Sequence, residues 1–156
     1  MMPILASGKR VVNIDETWLP SLDFRNHKWG VRGERNTIAQ RELSQRVNMI
    51  AALDTEGAVY AALTQVNTDT DVMVSFLSRL ATVMTREDKD WRTNTIWLLD
   101  GASYHKTPKV RITLRRLGVK YVISGPYSYS AAPVELFFSY FKRGDLNPNN
   151  EPTGKR

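Results

Sequence analysis

The sequence contains no cysteine. That excludes disulfides and every thiolate-based zinc site. It has two histidines, His27 and His105, which argues against a histidine-rich metal centre. No apolar run approaches the roughly 20 residues that a membrane-crossing helix needs. The opening "MMPILASGKR" has too short an apolar part for a secretory signal. Internal repeats and low-complexity stretches are absent. What is present is a chain of 156 residues, 42% hydrophobic, a length that fits one domain with a true core. Basic residues outnumber acidic ones, 22 Lys and Arg against 16 Asp and Glu, giving a net charge of +6. A surplus of that sign suits a polyanionic partner.

The hydrophobic pattern divides the chain into elements. "KRVVNIDE" (9–16) predicts a strand ending in Asp15. Residues 17–43, broken by Pro20, Gly30 and Gly33, predict an irregular excursion with a short strand near Trp29. Residues 45–65 hold two apolar runs joined by "DTEG", a hairpin signal with Asp54 in the turn. Between 68 and 87, Met73, Phe76, Leu77, Leu80, Val83 and Met84 recur at helical spacing, with Asp69 or Asp71 as N-cap. "NTIWLLD" (94–100) predicts a strand covered on both faces. A helix over 107–118 enters at Pro108 and stops at Gly118. Strand 119–124, loop 125–133 and helix 133–143 follow, and the helix puts Val134, Phe137, Phe138 and Phe141 on one core-facing side. Asp88 and Asp90 fall in an exposed loop. Antiparallel strands followed by strand–helix alternation predict an α/β domain over 1–143, a mixed sheet with helices on its faces. Residues 144–156 read as a polar tail with little structure.

Two core strands end in a carboxylate, at Asp15 and at Asp100. A lone aspartate there reads equally as a turn residue. If the two strands are adjacent and parallel, both acids emerge at one sheet edge, where they repel unless a cation lies between them. Oxygen ligands without Cys and with little His select a hard cation, Mg²⁺ or Mn²⁺. Glu135, in the first turn of the last helix, is the candidate third acid. Glu16 reads as a solvated neighbour. His105 reads either as a capping or core histidine or as part of the site.

Three segments carry a resemblance: "NIDETW", "WLLDGASYHK" and "GPYSYSAAPVELFFSYFK". Together they resemble the catalytic domain of the mariner-like branch of DDE transposases. That branch shows an apolar strand ending in Asp-Glu, a second ending in Asp-Asn with a His soon after, and Pro-Tyr-Ser before a Pro-hydrophobic-Glu helix. The 34 residues between Asp100 and Glu135 match its usual spacing. "HKWGVRGER" (27–35) is similar to its Trp-Gly segment, and the resemblance spans about 9–143. It implies a ribonuclease H-like fold and metal-dependent DNA cleavage and strand transfer. Asp15, Asp100 and Glu135 would be the catalytic, metal-holding triad, with two Mg²⁺ or Mn²⁺ ions about 4 Å apart and no covalent enzyme–DNA intermediate. The implied partners are transposon-end and target DNA and a second copy of the chain in the active complex, with no membrane. The implied location is the nucleus in a eukaryotic host and otherwise the cytoplasm.

For DNA contact, Lys106 and Lys109 stand nearest the Asp100 turn, and Lys142 and Arg143 follow the Glu135 helix. Arg111, Arg115 and Arg116 cluster with the first pair, where a solvated helix face is the plainer reading of the last two. Tyr127 and Tyr129 suit either stacking on DNA or packing within their loop. The sequence departs from the branch in two places: Gly101 stands where Asn is usual, and "SYSAAP" replaces Ser-Pro-Asp-Leu-Asn-Pro. The branch also carries helix-turn-helix domains before its catalytic domain, whereas Asp15 lies near the start here. The expectation is therefore an excised catalytic core, or else a relic or a re-employed domain. The alternative function is a domesticated, non-catalytic DNA-binding or scaffold subunit. A ribonuclease H acting on RNA shares fold and metals but fits the Pro-Tyr-Ser to Glu segment poorly.

Overall fold

The computed structural model describes residues 8–19, 47–125 and 133–143. Most of the 17–43 stretch, the loop with Tyr127 and Tyr129, and the tail 144–156 lie outside the described residues. The described elements are β1 (Arg10–Leu19), β2 (Val47–Asp54), β3 (Val59–Thr64), α1 (Thr70–Glu87), a short α2 (Trp91–Asn94), β4 (Thr95–Leu99), a 3₁₀ turn (Tyr104–Lys106), α3 (Pro108–Arg116), β5 (Lys120–Ile123) and α4 (Pro133–Arg143). The strands form one sheet in the order β3-β2-β1-β4-β5. The β1–β2 and β2–β3 pairs are antiparallel, while β1–β4 and β4–β5 are parallel. A tight turn can join only the antiparallel strands. Helices therefore appear in the chain where parallel pairing begins.

Local chemistry explains the element ends. Asp69 is the cap of α1: its Oδ1 accepts from the backbone N–H of Asp71 and of Val72, each at 2.9 Å. Thr107 caps α3 ahead of Pro108, and past the C-cap Leu117 the chain turns off at Gly118, whose φ of 67° falls in the left-handed region that favours glycine. In the hairpin, Asp54 Oδ1 accepts from Glu56 N at 2.8 Å and Ala58 N at 3.0 Å. Its other oxygen accepts from Arg10 Nε at 2.8 Å and from the same guanidinium's Nη2. Asp54 does lie at the hairpin, but its side chain is 0% exposed and forms half of an ion pair.

The sheet is covered on both faces. On one, Val12, Ile14, Ile50, Ala52, Trp97 and Leu99 meet the inner side of α1 and Val110 and Leu114 of α3. Each large side chain buried there contributes roughly 1.5–3 kcal/mol relative to exposure. On the other, Val134 and Phe138 of α4 cover Leu19, Met49 and Ala51, flanked by Phe137 and Phe141. Helix α2 was not expected, since four residues are too few to show a period. Its Trp91 stacks on Trp97 with centroids 5.5 Å apart and planes at 12°, so tertiary packing places it.

Candidate active site

The parallel β1–β4 ladder runs from Arg10 opposite Thr95 to Ile14 opposite Leu99. The next residue on each strand is an aspartate, so Asp15 and Asp100 stand side by side. They lie at the carboxyl edge of the parallel pair, where ligands bind in open α/β sheets. Asp100 follows the end of β4. Asp15 does not end β1, which continues through Leu19 along β2. It marks the point where the parallel partner stops.

Glu135 is brought in by Asn13. The Asn13 side chain is buried. Its Oδ1 accepts from Val134 N at 3.3 Å, and its Nδ2 faces the Leu98 carbonyl at 3.5 Å. One carboxamide thus pins the first turn of α4 to β1 and supplies a partner for a helix-end N–H. Asn13 and Asp15 point to the same sheet face. The helix start therefore falls over Asp15 and brings exposed Glu135 within its electrostatic reach.

The charges are strained. Burial, helped by Asp100 and Glu135, pushes the Asp15 carboxyl up to about 6 despite a hydrogen bond from Glu16 N. Burial also pushes Glu16 up to about 7, reinforced by Asp15 and Asp100 and opposed by His105. At Asp100 burial acts upward, but hydrogen bonds from His105 and Ala102 N, with the charges of His105 and Lys106, outweigh it and hold the carboxyl below its ordinary value. At His105 burial acts downward and is outweighed by Asp100 and Glu16, so the ring is raised.

Of the residues singled out from sequence, the structure gathers Asp15, Asp100, Glu135, His105 and Lys106. His105 is fully buried, with Nδ1 2.5 Å from Asp100 Oδ1. Lys106 lies over Gly101, where an added Cβ would meet Ser124 O at 3.1 Å and Lys106 Nζ at 3.5 Å. The close backbone approach suits glycine there. Lys109 points elsewhere, into an exposed ion pair with Asp71. Lys142 is partly buried on α4, and Arg143 is the last residue of that helix. Tyr127 and Tyr129 fall outside the described residues. Glu16 corrects the sequence reading. It is not a solvated neighbour: its side chain is 17% exposed and faces His105 Nε2 at 3.7 Å. The signal was the alternation in β1, which puts Glu16 on the same covered face as Val12 and Ile14.

The donor chemistry fits a hard divalent cation, since crowded carboxylate oxygens with a buried, repelled Asp15 are what such an ion would relieve. Among the described residues, no three acid or histidine side chains stand close enough to hold one ion together.

Comparison with known proteins bears on kinship. A family model described as DDE superfamily endonuclease matches residues 10–152. No curated protein matches. Among solved structures, the Mos1 mariner paired end complex with Mn is similar at TM-score 0.68 and 22% identity, over 88% of this chain and 44% of that one. A pre-cleavage Mos1 transpososome is similar at TM-score 0.66 and 22% identity, over 83% and 41%. The catalytic domain of Mos1 mariner transposase is similar at TM-score 0.62 and 20% identity, over 83% and 57%. This chain spans less than half the length of the Mos1 chains in those two complexes. At these identities the likeness speaks to the fold, which is ribonuclease H-like. The family match is the wider finding, and because it runs over nearly the whole chain, this protein belongs to the DDE superfamily endonucleases.

Proposed function

We propose that this chain is a transposase or integrase catalytic core that cleaves DNA strands and joins them, with Asp15, Asp100 and Glu135 as its metal-holding acids. The observation that supports it most is the register. Continuing the parallel ladder past Ile14 and Leu99 sets two carboxylates side by side, and the buried one senses Glu135 as well. Mos1 structures determined with Mn and with Mg belong to the same fold. Two divalent ions bound here would polarise the attacking oxygen and neutralise the leaving 3′ oxygen.

The chain's own residues supply the rest. Asp15 sits on a strand paired on both sides up to Ile14, so its position is stiff. Asp100 is fixed by hydrogen bonds from His105 and Ala102 N. Glu135 sits on the first turn of a helix docked through Asn13. Lys106, whose charge acts on Asp100, would meet a phosphate oxygen. The wider basic surplus would hold the DNA backbone, and a second copy of the chain would complete the active complex.

The test uses supercoiled plasmid with Mn²⁺ or Mg²⁺. Nicked product is expected with metal and none with EDTA. Asp100→Asn should abolish nicking while melting like the wild type. A folded Asp100→Asn protein that nicks at the wild-type rate would assign these acids a structural role and leave the non-catalytic scaffold as the better reading.

A further inference from the structure

The proposed site leaves Glu16 unused and uses only one ring nitrogen of His105, the Nδ1 that holds Asp100. Glu16 follows Asp15 in β1, so its side chain crosses to the opposite face of the sheet. Its Oε2 is buried and has no hydrogen-bond partner among the described residues. His105 Nε2 is equally buried and unpartnered, and the two atoms face each other at 3.7 Å. Buried polar atoms without partners are costly. Two of them aimed at one another make an incomplete hydrogen bond. The other ring nitrogen, Nδ1, lies 2.5 Å from Asp100 Oδ1 and 3.3 Å from the Asp100 carbonyl oxygen.

We propose that Glu16 is a positioning residue that acts through His105 on Asp100. Asp100 lies one residue beyond the last ladder pair, Ile14 with Leu99, so sheet hydrogen bonds do not fix it. His105 and Ala102 N both bond its Oδ1, the latter at 3.0 Å. Neither uses Oδ2, so one oxygen is anchored and the other is left for a ligand. That anchoring is only as firm as the ring. Tyr104 packs edge-on against the ring with centroids 4.6 Å apart, which limits tilt, and a carboxylate at Nε2 decides which ring nitrogen faces forward. Glu16 is carried by the strand that carries Asp15. The Glu16–His105–Asp100 chain therefore ties the turn after β4 to β1 and sets the spacing of the two acids. Its consequence for metal rests on the proposed function; its geometry does not.

The test reads the ring directly. Proton–nitrogen correlation spectra of the ¹⁵N-labelled 156-residue chain give both nitrogens of His105, assigned by their loss in His105→Gln, with His27 as internal reference. Asp100→Asn is expected to move Nδ1. Glu16→Gln is expected to move Nε2 and, through the shared ring, Nδ1. Mn²⁺ affinity, from the resonance of free Mn²⁺, should weaken about 10-fold in Glu16→Gln and in His105→Gln, the lower end for groups behind a metal ligand. The double variant should be no weaker than His105→Gln alone. Melting curves establish that each variant is folded. If Glu16→Gln does not fold, Glu16→Asp carries the same test, because it keeps the charge and withdraws the oxygen. Ring signals indifferent to the Glu16 change in a folded protein overturn the proposal, as do losses that multiply in the double variant. A wild-type chain that binds no Mn²⁺ removes the metal reading instead, and an Nδ1 signal that moves with Glu16→Gln then still upholds the positioning.

Discussion

Asp54 and Asp15 are both buried carboxylates on the central β1–β2 pair, and the fold treats them in opposite ways. Asp54, at the hairpin end, takes the Arg10 guanidinium on one oxygen and two backbone N–H groups on the other. Arg10 in turn reaches Tyr60 Oη at 3.1 Å. Asp15, three pairs along that ladder and opposite Ala51, accepts from Glu16 N at 2.8 Å, and among the described residues no lysine or arginine pairs with it. Its electrostatic neighbours are Asp100 and Glu135, with His105 the one group that opposes them. The same sheet can thus satisfy a buried acid fully, and at its carboxyl edge it does not. Unrelieved charge of that kind is a mark of sites rather than of scaffolds.

The sharpest way to break this contrast is to neutralise one acid on each side. Asp100→Asn should lower DNA nicking by several factors of ten, each about 1.4 kcal/mol of transition-state stabilisation. Stability should change less than at Asp54, because the amide oxygen still accepts from Ala102 N and can accept from His105, and the charge that is lost also repelled Asp15. Asp54→Asn should do the reverse. It leaves the Arg10 charge, 11% exposed, with only the looser Glu56 pair at 3.5 Å, and should cost about 2 kcal/mol in urea unfolding with Mn²⁺ affinity unchanged. Equal effects of the two changes on either readout would erase the distinction.

Much of this was legible in the sequence. Helix α1 declares itself by the spacing of Met73, Phe76, Leu77, Leu80 and Met84, and β4 by an unbroken apolar run. The three acids proposed for the site stood out because an aspartate after an apolar run is visible in sequence and the Asp100-to-Glu135 spacing is part of the family resemblance, although Asp15 lies within β1 and does not end it. What escaped was non-local. Arg10 and Asp54 are 44 positions apart, so nothing beside Asp54 announced its partner. Glu16, next to an acid in a basic chain, looked like solvated surface. Only the helices over Val12 and Ile14 turn the strand's alternation into burial. His105 kept two readings open because the carboxylate behind it lies on another strand.

A milder perturbation is pH. In the metal-free chain Asp15 at about 6 and Glu16 at about 7 hold protons that an unfolded chain, with ordinary values of 3.8 and 4.5, has already released. Stability should therefore fall as pH rises through that window. His105, raised, runs the same way: its contribution is complete below its unfolded value of 6.5 and fades as pH climbs through the folded one. Asp100, lowered, contributes above its ordinary 3.8 and loses that only as pH falls through its folded value. Between about pH 5 and about pH 8 the net loss in EDTA should be on the order of 2 kcal/mol, since these groups share one field and their shifts do not add. Added Mn²⁺ should flatten the decline. Urea midpoints across that range measure it, and a metal-free chain more stable at the alkaline end would contradict the picture of an unrelieved acid cluster.

The smallest effect separates the two lysines first matched to DNA. Lys106 is exposed and acts on Asp100 through its charge, whereas Lys109 is engaged by Asp71, with side chains 60% and 71% exposed. An ion pair that open contributes less than about 1 kcal/mol, so Lys109→Gln should barely move the melting curve. Non-specific duplex binding by this chain should be weak, about 10⁻⁴–10⁻⁶ M, and steeply salt-dependent. Losing one phosphate contact lowers that salt slope by about 1. Lys106→Gln should do so whatever stands at position 71. Lys109 must first leave its carboxylate, so Asp71→Asn should tighten binding about two- to threefold, a fraction of a kcal/mol, and Lys109→Gln in that background should undo the gain. If Asp71→Asn leaves the affinity and its salt slope unchanged, Lys109 belongs to the solvated face of α3 and makes no contact with the DNA.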